Sequence, residues 1–185
     1  GNYLKMAEML SKVKSDEKDL LVGMEYEFKL KLAEFRSFSV SRKIGYPRTS
    51  KDKKIYEDLL LSAKPYARKD ASLTEKLSLL TIKNYYYDSL PDKKPLMRVR
   101  QEWVEEAEKN EKFRSENAMQ YLVGLNNLAN SYDELGMNDL LQEILKKINA
   151  HEHKNLDERI RTFIYYYNLK LVGDINAGQF TECLA

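Results

Sequence analysis

The sequence predicts an all-α chain, a solenoid of about four stacked helical hairpins. Three observations carry this. Apolar residues recur at helical spacing along nearly the whole chain. No stretch of strict alternation lasts long enough for a strand. The longer helices are expected to end near Ile44, Leu90, Gly136 and Gly178, at intervals of 46, 46 and 42 residues. A near-fixed period of this size is the mark of a helix pair repeated and stacked, in which each hairpin borrows its core from its neighbours.

The elements follow in order. A first helix is predicted over about Tyr3–Val13. A long second helix, about Glu17–Ser41, carries Leu21, Met24, Phe28, Leu32 and Phe35 on one stripe. "GYPRTSKD" breaks it, because Gly45 and Pro47 end helices. A third helix spans about Lys51–Ala63 and stops before Pro65. Ser72 with Glu75 three residues on forms a capping-box pattern that opens a fourth, running to about Leu90 and stopped by Pro91. A fifth follows "DKKPLM", where Pro95 suits a first helical turn. "SENAMQYLVGLNNLANSYDELG" and "MNDLLQEILKKINA" are two helices joined at Gly136, and "LDERIRTFIYYYNLKLVGDIN" precedes the start of another after "AGQF". That makes about nine helices, and the short connections make sequential neighbours antiparallel hairpins.

Composition bounds the function classes. At 185 residues the chain is expected to be a single domain, 1–185. Hydrophobic residues at 43% supply a core and charged residues at 32% a solvated surface. The net charge, 31 − 29 = +2, gives no global pull toward nucleic acid or membrane. The longest apolar runs are too short to span a bilayer. One cysteine, Cys183, leaves no internal disulfide. The chain opens on "GNYLKM" and stops at "GQFTECLA", where a helix has only begun, so a fragment of a longer protein is expected.

Chemistry-bearing patterns are sparse. Nothing brings a base, a nucleophile and an oxyanion donor together, and no Gly-rich loop is built to cradle phosphate. The expected protein is therefore not an enzyme and needs no cofactor. His151 and His153 in "HEH" are two residues apart, but a structural zinc site wants four ligands, so no metal is expected. Residues 36–70 hold ten Lys and Arg against four Asp and Glu, and residues 101–150 hold five against ten. That asymmetry can steer an acidic ligand, yet it lacks the dense basic stripe of a nucleic-acid surface. "YYYD" at Tyr85–Tyr87 and "YYYN" at Tyr165–Tyr167 each span about 200° of a helix, so each must show at least one phenol. Trp103 reads as a packing anchor.

The sharpest stretch is "NNLANSYDELGMNDLLQEILKKI". It places Leu128 and Ala129 side by side, then Tyr132, Gly136 at a turn, and Leu141, Leu145 and Ile148 down a second helix. Ala129 admits close approach, Tyr132 fills the space beside it, and Gly136 takes a turn that a Cβ would strain. Leu125, Leu128, Tyr132 and Leu135 make the core stripe. This pattern resembles a tetratricopeptide repeat, and the longer interval and "LNNLA" resemble the repeats of kinesin light chains. Asn138 stands where the family has an aromatic, and Leu141 and Ile148 stand where it has small residues. Gly178, Phe180 and Cys183 fit the turn of a further unit, whose first helix fits poorly.

The resemblance implies a right-handed α-α superhelix whose first helices line a concave groove. It also implies a non-catalytic protein- or peptide-binding scaffold. The candidate groove residues are Asn126, Asn127, Asn130 and Asp133, with Asn127 and Asn130 at the positions that grip a peptide backbone. An amide offers both donor and acceptor, so it can read a peptide bond whatever side chain follows. The plain alternative is that these asparagines bind only water. A second reading is a ligand- or peptide-sensing segment of a larger regulator. Homo-oligomerisation through a free repeat face is also open.

Overall fold

The structure, a computed structural model, describes residues 18–68, 70–176 and 178. The expected helices at about Tyr3–Val13 and after "AGQF" lie outside these residues. Among the described residues there is no strand, and the chain is all-α. The helices are α1 (Lys18–Ile44), α2 (Ser50–Ala63), α3 (Leu73–Asp88), α4 (Lys94–Glu108), α5 (Glu111–Glu116), α6 (Ala118–Glu134), α7 (Asn138–Asn149) and α8 (Leu156–Asn176), with a 3₁₀ turn at Lys64–Tyr66 after α2. They divide into two compact units, Gly1–Asp92 and Lys93–Ala185.

In the first unit α1, α2 and α3 each pack on the other two, α1 most extensively on α3. Gly45, at φ +62°, ends α1, and its carbonyl accepts from the hydroxyl of the buried Tyr56 at 2.8 Å. Thr49 and Asp52 form a capping box at the start of α2, and Ser72 and Glu75 form the expected one at α3. The buried Glu75 does more than cap: Arg68 Nη2 donates to its two oxygens at 2.9 and 3.2 Å, and the Arg68 guanidinium lies 4.4 Å from the Tyr26 ring centroid.

The expected stripe of α1 is corrected. Phe28 is buried, but Phe35 is 59% exposed. The main core row is instead Leu30, Ala33 and Ser37, joined by Ala63 and Ile82 from α2 and α3. Small side chains at Ala33 and Ser37 suit the close approach of α3, and the Ser37 hydroxyl is satisfied by donating to Ala33 O at 2.9 Å.

In the second unit α4 packs on α6, α6 on α7, and α8 on both α6 and α7. The segment expected to run unbroken from Ser115 is divided. Asn110 caps the short α5 by accepting from the Phe113 N–H at 2.8 Å, and Asn117, at φ −121°, separates α5 from α6.

Candidate functional site

The α6–α7 hairpin carries the candidate site, and its geometry follows from a few residues. Leu122, Leu125, Leu128, Ala129 and Tyr132 are buried along α6, facing Leu141, Ile144, Leu145 and Ile148 of the strongly amphipathic α7. Leu135, expected in the stripe, is only half-buried. At the turn the Met137 N–H donates to Tyr132 O at 2.8 Å and the Gly136 N–H to Asp133 O at 3.0 Å. This is a Schellman cap, and its left-handed position is filled by Gly136 at φ +67°.

Helix α4 braces another side of α6 through two side chains three residues apart. The Trp103 ring occupies the space beside Gly124: a Cβ there would stand 2.4 Å from Cζ3 and 2.7 Å from Cε3. Arg100 Nη1 donates to the main-chain carbonyl of Asn127 at 3.0 Å and to the buried Ser131 hydroxyl at 2.8 Å. Neither contact was expected from sequence. The signal available for Arg100 is its position one helical turn before Trp103, which puts both on one face.

At 100° per residue, Asn126, Asn130 and Asn127 spread over about 100° of α6, centred opposite Leu125 and Tyr132. Asn130 is exposed, while Asn126 and Asn127 are half-buried. Val123 and Glu134 lie exposed on the same face. The structure thus brings the three asparagines together on the outer side of the hairpin. Asp133 falls at the margin, toward the buried row, and is half-buried. Asn130 turns its amide nitrogen back to donate to Asn126 O at 2.8 Å, which leaves its second N–H and its oxygen for a ligand. Asn127 is held in place from below, since its own carbonyl accepts from Arg100.

The other sequence candidates lie elsewhere. Tyr85, Tyr86 and Tyr87 are all half-buried, and in the second run Tyr167 is exposed. His151 is half-buried and His153 exposed, with ring centroids 5.9 Å apart. Among the described residues no group of three His, Cys, Asp or Glu is arranged to hold a metal ion. A cleft of about 560 Å³ joins the ends of α4, α6 and α7, lined by Glu108, Arg114, Tyr121, Lys147 and His151 among others. There Glu108 Oε1 accepts from the Tyr121 hydroxyl at 2.8 Å and from Lys147 Nζ at 2.7 Å. Burial first, then the Glu108 carboxylate, pushes the Tyr121 phenol far above its ordinary value, so it stays a donor at any physiological pH. Burial likewise holds the His151 imidazole below its ordinary value, and its Nε2 is buried without a hydrogen-bond partner.

No protein-family model, curated protein or solved structure matches this chain. No helix among the described residues is long and apolar enough to cross a membrane. The α6 face offers amide donors and acceptors on a braced helix.

Proposed function

We propose that the chain is a non-catalytic protein- or peptide-binding scaffold, and that its second unit is part of a right-handed α-α superhelix of tetratricopeptide type. The carrying observation is the face of α6. Three asparagines gather on the side away from the core, on a helix fixed by Trp103 against Gly124 and by Arg100 against the Asn127 carbonyl. Rigid support of this kind lowers the entropic cost of binding. The repeat reading is supported by α8 packing on both members of the α6–α7 hairpin, and by left-handed glycines at Gly136 and Gly178. The groove is formed by the first helices, where Asn127 and Asn130 hold the backbone of an extended peptide and Asn126 and Asp133 flank it. The local charge of residues 101–150, five basic against ten acidic, favours a peptide that is not itself acidic.

The test is binding of the intact chain to an array of extended peptides, comparing wild type with Asn127→Ala/Asn130→Ala after matching their thermal melts. Losing two backbone-reading amides should weaken retained peptides by about tenfold or more. Equal retention by both proteins overturns the assignment of this face.

A further inference from the structure

Helix α8 carries two apolar faces. One, with Leu169, packs toward α6 and α7. The other is a row of Leu156, Ile160, Ile164, Tyr167, Leu171 and Ile175, each 44–69% exposed. Single exposed apolar side chains are ordinary, but an unbroken row five turns long is not. Comparison with α6 shows what such a row accepts. A shift of 42 residues carries Gly136 onto Gly178, and it carries the buried Ala118, Leu122, Leu125 and Ala129 onto Ile160, Ile164, Tyr167 and Leu171. In α6 that row is sealed by α7, which runs antiparallel to it through the Gly136 turn. In α8 the same row is bare.

We infer that the row is the interface of a homodimer, closed by α8 of a second copy running antiparallel. The spacing of the row is 4, 4, 3, 4 and 4 residues, which reads the same from either end. A two-fold axis between Tyr165 and Tyr166 therefore sets Leu156 against the partner's Ile175, Ile160 against the partner's Leu171 and Ile164 against the partner's Tyr167. An isologous interface requires this self-match.

Area and charge agree with the pairing. Six side chains of this size, about half bare, together with the exposed Phe163 beside them, offer roughly 700 Å² per copy. Two copies would cover roughly 1,400 Å², within the range of specific interfaces. The ions flanking the row are paired within their own helix, Arg161 with Asp157 at 3.2 Å and Lys170 with Asp174 at 2.7 Å. No charge need be left unpaired when the copies meet.

The test is sedimentation equilibrium of the full 185-residue chain, from about 5 to 200 µM, a range that resolves micromolar dissociation constants. The wild type should approach a dimer. Ile164→Glu and Tyr167→Lys should each remain monomeric with an unchanged far-ultraviolet circular-dichroism spectrum, because both side chains are exposed within one copy. An equimolar mixture of the two variants should recover a dimer, since the new carboxylate and ammonium face each other across the axis. A wild type that stays monomeric throughout means that the row is closed by the chain itself or by another protein, and it overturns the inference. So does a dimer indifferent to Ile164→Glu, or a mixture that stays monomeric. Neither substitution touches Asn127 or Asn130, so this result is independent of the peptide-binding test.

Discussion

At the scale of single residues, the contact between Trp103 and Gly124 shows what a sequence conceals. Trp103 was readable as an anchor from its size. Gly124 was not, because a glycine inside a helix looks like a weak point worth about 1 kcal/mol against alanine, and nothing local says that a ring occupies its missing side chain. Gly124→Ala should improve local helix propensity and still lower stability by about 1–3 kcal/mol in urea denaturation, since the Trp103 ring must shift. In a double-mutant cycle with Trp103→Leu, the alanine should cost far less, with a coupling of about 1 kcal/mol or more. His151 is held below its ordinary value by burial, with Glu158 and Glu152 opposing and His153 and Lys154 reinforcing the shift. Arg114 and Tyr121 share its cleft. The unfolded chain takes up the proton first, so this contribution to stability is complete above the ordinary histidine value of about 6.5 and is lost as pH falls below it. Melting temperature should therefore drop between pH 7 and pH 5.5, with a shallower decline in His151→Gln. Parallel curves for the two proteins would refute the assignment.

At the scale of elements, ends were more legible than faces. The Ser72–Glu75 capping box, the Gly45 and Gly136 stops and the Pro95 first turn all depend on neighbours within four residues, and the structure places each where the sequence puts it. The core face of α1 depends on which side α3 approaches. The stripe read from the sequence is misleading beyond Phe28, because the buried positions there are the small Ala33 and Ser37 while Phe35 is exposed. Helix α5 was missed for a different reason: six residues carry too little periodicity, and its definition rests on the Asn110 cap. Glu75 joins local and distant demands, since one carboxylate caps α3 through the Ser72 N–H at 2.7 Å and receives Arg68. Glu75→Ala should destabilise the chain by about 2–4 kcal/mol through the lost cap and the lost ion pair with Arg68. Glu75→Gln, which can still accept from Ser72, should cost about half as much by chemical denaturation. A Gln as damaging as Ala would assign the whole effect to the charge.

At the scale of the molecule, periodicity was the most informative sequence signal. The longer helices end at Ile44, Asp88, Glu134 and Asn176, close to the positions expected from the spacing of Gly and Pro. The asparagine face was legible too, because the 3.6-residue period that buries Leu125 and Tyr132 sends Asn126, Asn127 and Asn130 outward. The support beneath it was not, since Arg100 and Trp103 reach α6 from 20 to 30 positions away and no local pattern encodes that distance. The same long-range contact orders how the sequence can drift. A smaller side chain can arise at position 103 first and open room for one at 124. The reverse order must pass through an intermediate in which a methyl group and an indole claim the same space. Any sequence that keeps the tryptophan meets that penalty at position 124, and the penalty falls once position 103 has changed.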